Sequence, residues 1–162
     1  MDRPRIRLLG ALLTAASLNA AASSGSFTGA WSEETCHKEQ GSEEQKCFVS
    51  SMYLVQQGQR VCGSHFFMHA NTNMDEGEGI SLIGTVVGRT LVVVINSARG
   101  KTLHLGQAHF VKDRLQWRVV EKMSVGDGLD PYIWNADMSR VRRQDAMASI
   151  TAACAEHFRA SP

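Results

Sequence analysis

Between residues 48 and 120 the chain alternates short apolar runs with shorter polar breaks. The runs fall at 48–57, 61–68, 80–87, 90–95, 103–111 and 115–120, and they are rich in β-branched and aromatic residues, which favours strands. The breaks are hairpin links. Gly58-Gln59 and Gly88-Arg89 are two-residue connections with glycine first, the composition a type II′ turn requires. Asn96 to Gly100 and Lys112-Asp113 supply two further polar turns. Links this short join antiparallel neighbours. A first short strand is expected at 27–31 and another at 132–134. From about Ser139 the period changes. Met147, Ile150, Cys154 and Phe158 recur at intervals of three or four, one face of a helix, in an alanine-rich stretch that favours helix.

The fold class expected is therefore mainly β. It is an antiparallel meander, a small closed or partly closed up-and-down barrel of 6–8 strands, with a C-terminal α-helix. A two-sheet sandwich is the alternative. Three polar stretches interrupt the pattern and are read as loops: 33–46, 71–79 and 124–131.

The N-terminus changes the compartment. Arg3, Arg5 and Arg7 precede an apolar run at 8–18, and Ala20 and Ala22 fit a cleavage site. Residues 1–22 are thus expected to be a signal peptide, and 23–162 a single domain that is periplasmic or secreted. The apolar run is shorter than the ~20 residues a membrane span needs. Removing residues 1–22 takes away three arginines and one aspartate, so the formal net charge moves from +1 to −1. A near-neutral domain has no electrostatic footprint for nucleic acid or anionic lipid.

The four cysteines, Cys36, Cys47, Cys62 and Cys154, all lie after residue 22. An even count in an exported chain favours two disulfides. The short separation of Cys36 and Cys47 favours that pair, which leaves Cys62 with Cys154. No C-x-x-C spacing supports zinc, and neither metal nor cofactor is expected.

Candidate chemistry is sparse. His65 and His69 lie ~13 Å apart on an extended strand, too far to share a metal, and the histidines are read as scattered surface or half-buried groups. No G-x-S-x-G elbow is present; a Ser-His-Asp triad would have to assemble from separate strands. The acidic residues Asp75, Glu76 and Glu78 are read as a protruding recognition loop, with Asp127 and Asp130 forming a second loop of the same character. Trp31, Trp117 and Trp134, with Tyr53, Phe66 and Phe67, are read as core more than as the wall of a ligand cavity.

Gly29-Ala30-Trp31, at the start of the first strand, resembles the G-x-W opening of lipocalins, avidins and related meander barrels, and the order of hairpins after it is similar. The resemblance implies a closed barrel but transfers no ligand-binding residue. Export, two disulfides and a small barrel also resemble bacterial periplasmic lysozyme inhibitors. The function expected is a non-catalytic binding protein of the bacterial envelope, an inhibitor or immunity-type partner of a hydrolase, engaging a protein through its loops. The alternative is a lipocalin-like carrier of a small apolar ligand; an enzyme with a dispersed site ranks third.

Overall fold

The computed structural model describes residues 25–38, 40–41, 43–70, 73–77, 79–124 and 135–160. The strands are β1 (Gly29–Lys38), β2 (Gln45–Gln57), β3 (Arg60–His69), β4 (Asn73–Glu76), β5 (Leu82–Val87), β6 (Thr90–Asn96), β7 (Leu103–Val111), β8 (Arg114–Ser124) and β9 (Asn135–Val141). The helix α1 spans Gln144–Ala160. Every pairing is antiparallel, and β1 meets β9 through Ala30, Trp31 and Ser32 against Val141, Arg140 and Ser139. That contact closes an eight-stranded meander, with β4 as an extra strand beside β3.

Closure follows from the alternation. Side chains of one parity fill the interior: Trp31 on β1, Met52 and Leu54 on β2, Val61 on β3, Leu82 on β5, Leu91, Val93 and Ile95 on β6, Trp117 on β8 and Met138 on β9. A small barrel has room for side chains and little else. Gly106 shows how tight the fit is: a Cβ there would collide with the Trp117 ring.

The hairpins form as their composition requires. Gly58 and Gly88 hold φ of 61° and 63° at the first position of their turns. The β7–β8 turn places Lys112 in the same left-handed region, at φ 58°.

Three boundaries differ from the sequence reading. The stretch 33–46 is no loop over most of its length. β1 runs to Lys38 and β2 starts at Gln45, with Cys36 directly opposite Cys47. This hairpin extends past the core, so water meets both of its faces and no alternation marks it. Residues 73–76 form β4, not loop. Finally, β9 occupies part of the stretch read as helix, which starts at Gln144. Ala136 and Met138 are its only fully buried side chains, too few to outweigh the helical period that follows. The strand expected at 132–134 and the segment 1–22 lie outside the described residues.

Both disulfides form as expected, Cys36–Cys47 and Cys62–Cys154. They indicate an oxidising, extracytoplasmic setting. No helix among the described residues is long and apolar enough to cross a membrane. The second disulfide anchors α1 to the outer face of β3, where Ile150, Cys154 and Phe158 pack with Cys62, Tyr53 and Val55.

Candidate functional site

Asp75 and Glu76 do not sit together at a loop tip. Strand pairing places Asp75 opposite Phe67 and Glu76 opposite Phe66. Successive residues of a strand face opposite sides. Asp75 therefore points inward, with 5% exposure, while Glu76 is exposed. The reading of Asp75 as a solvated recognition residue is corrected by this burial. Glu78, Asp127 and Asp130 lie outside the described residues.

Inside, Asp75 meets His65, which is 1% exposed. His65 Nε2 donates to Asp75 Oδ2 at 3.2 Å. His65 Nδ1 is hydrogen-bonded to the Ser81 hydroxyl at 2.8 Å. The Arg99 amide donates to Asp75 Oδ1 at 3.2 Å. Burial pushes the Asp75 carboxyl up, but hydrogen bonds from His65, Ser97 and the Arg99 amide, with the His65 charge, outweigh it and hold the group below its ordinary value.

The backbone explains this meeting. β4 and β5 lie along the same edge of β3. Phe66 faces Glu76 and Gly63 faces Leu82, so one chain advances six residues while β3 advances three. The excess bulges between Gly77 and Ser81. Gly77 donates its amide to His65 O, and Ser81 donates to Gly63 O. A Cβ on Gly77 would collide with the Ser81 side chain, so glycine lets the chain close over the network. The result joins β3, β4, the bulge and the β6–β7 turn. Residue types of a catalytic triad are present, but Ser81 is buried and its Oγ already accepts from the His65 amide.

The other histidines are dispersed. His104 is also buried in the interior, which together with His65 corrects the reading of all six as surface or half-buried. His37 and His69 both contact the Phe48 ring, while His109 is exposed and His157 half-buried. Among the described residues the one group with metal-ligand spacing is Glu34, Cys36 and Cys47. Its two cysteines form a disulfide and supply no thiolate.

The outer face carries the clearest surface feature. The register aligns Val55, Cys62, Ile83, Val94 and Leu105 in one row across five strands. α1 covers Val55 and Cys62. The rest is only partly covered: Ile83 is 47% exposed, Val94 and Leu105 are half-buried, and Val120, on β8 beside the end of the row, is 55% exposed. A groove of about 510 Å³ runs between Phe158 at the end of α1 and Ile83, Val92, Val94 and Leu105. Sequence reasoning missed this face, although the run Leu91 to Ile95 held the signal. A strand with water on one side alternates, and one that is apolar throughout has two faces to cover.

Fold and surface together define a disulfide-stapled, closed meander barrel with an outer apolar row only half covered by its own helix. No protein-family model, curated protein or solved structure matches the chain.

Proposed function

We propose that this is an exported, non-catalytic binding protein that engages another protein through the partly open outer face of β5–β8. The observation that supports this most is the apolar row Ile83, Val94 and Leu105, left partly open where α1 ends, with Ile83 47% exposed. A contiguous exposed apolar patch with a polar rim fits a protein interface. Here Thr85, Gln107 and Arg118 supply polar neighbours on the same face. The reading keeps the expected binding role but moves its main surface from the acidic loops to the sheet. The narrower role, inhibition of an envelope hydrolase, is part of the proposal and is decided by the partner's identity.

The test is site-specific photo-cross-linking in the native compartment. A photoreactive residue at Ile83 or Val120 is expected to give one discrete adduct with a second protein. The same group at Ser149, exposed on α1, is expected to give none. Equal adducts from both faces, or none from either, would refute the assignment. If the adduct is a hydrolase whose activity falls on complex formation, the inhibitor role holds.

The Ser81–His65–Asp75 contacts favour a second reading, a hydrolase with Ser81 as its nucleophile. Ser81→Ala removes the hydroxyl with little change in bulk. Loss of a hydrolytic activity in that variant, with folding intact, would establish this reading over the first.

A further inference from the structure

The barrel end that holds the three tight hairpins has a cleft of about 870 Å³, within the range of small-molecule sites. It lies on a different part of the molecule from the proposed protein-binding face and does not depend on it. Its floor is aromatic. Phe27 and Phe110 stack with ring centroids 4.7 Å apart, and Trp31 packs against Phe110 at 5.4 Å. Its rim is cationic. Arg89 comes from the β5–β6 turn, Lys112 from the β7–β8 turn and Arg140 from β9. Asp113 is the one carboxylate lining it.

Arg140 is held in place: its guanidinium lies 4.5 Å over the Trp31 ring and donates to Ser26 O. Arg89 and Lys112 are exposed and have no ion-pair partner among the described residues. Lys112 carries a second signal. It has φ 58° at the turn position where the two sister hairpins have glycine. A side chain disfavours that conformation, and backbone strain of this kind concentrates at functional positions. Cations from three elements over an aromatic floor suit a ligand with one negative group and one apolar body.

We propose that this cleft binds a small amphipathic organic anion, its carboxylate or equivalent acid set among Arg89, Lys112 and Arg140, its apolar body against the half-buried Phe110, which Phe27 and Trp31 back from the core. Calorimetric titration of the purified protein with 1-naphthylacetate tests this, with 1-naphthylacetamide as the neutral match and inorganic sulfate as the bare anion. Saturable binding of the carboxylate at one per chain is expected, with the amide and sulfate each about tenfold weaker or worse. Lys112→Gly removes the charge and relieves the left-handed backbone, so it keeps the fold; together with Arg89→Gln it is expected to weaken the carboxylate about tenfold and leave the amide unchanged. No saturable binding of the carboxylate would overturn the proposal. So would equal binding of the amide or of sulfate, or unchanged affinity in the double variant.

Discussion

The outer surface of this barrel holds two regions built alike and finished differently. Over β2 and β3, the outward residues Val55 and Cys62 are sealed by α1 and fixed by the Cys62–Cys154 bond. Over β5 to β7 the same row continues through exposed Ile83 and half-buried Val94 and Leu105, with only the end of α1 beside it. Burial of apolar area drives both docking and association. The contrast shows that the strand pattern creates an apolar outside and that local chain supply decides which part stays open. On the proposed function, the sealed half serves stability and the open half serves recognition.

That division predicts how substitutions sort. The largest effect is expected from Cys62→Ala with Cys154→Ala, which frees a link spanning 92 residues. Loop closure of that size is worth roughly 4 kcal/mol. Urea unfolding should report the loss, and hydrogen exchange should show α1 detaching first, which would give the sealed half the character of the open one.

Next comes the interior network. Asp75→Asn leaves His65 without its carboxylate and is expected to cost about 3 kcal/mol near neutral pH. Because folding holds the Asp75 carboxyl below its ordinary value of 3.8, its contribution is fully present above that value. It is lost as pH falls through the lower folded value. The stability gap between wild type and Asp75→Asn should therefore narrow in acid, and urea midpoints measured from neutral pH to about pH 3 check the sign. A gap that widens would place the carboxylate outside the network described.

A smaller loss, about 2 kcal/mol, is expected from Cys36→Ala with Cys47→Ala, because that bond spans 11 residues already paired as a hairpin. α1 should stay protected in this variant, which separates the two staples by urea midpoint and exchange pattern. The smallest effect on stability belongs to the open half. Ile83→Ser should shift unfolding by no more than about 1 kcal/mol while abolishing the cross-link to a partner. A large loss of stability there would mean that the row is core after all.

The barrel was largely legible because its signals are local. Glycine-first turns fixed the hairpins, and the period change fixed α1 and the inward aim of Cys154. The polar site was not legible for a reason that is equally physical. His65, Asp75 and Ser81 come together only because a bulge between Gly77 and Ser81 changes the register along one edge of β3. Read locally, Asp75 next to Glu76 in a glycine-containing acidic stretch resembles any solvated turn. β9 was obscured because its two buried residues sit before a stronger helical pattern. The open face was half legible: Leu91 to Ile95 is apolar at every position, which asks for cover on both sides, but the sequence does not say whether α1 reaches that far.

The most direct test of the account is carbene footprinting of the protein in its native compartment against the purified protein. Labelling at Ile83, Val94 and Val120 should fall several-fold in the native setting, while exposed α1 positions such as Ser149 label equally in both. Equal labelling of the β5–β8 face in the two settings would contradict the claim that this half of the surface exists to be covered by a partner.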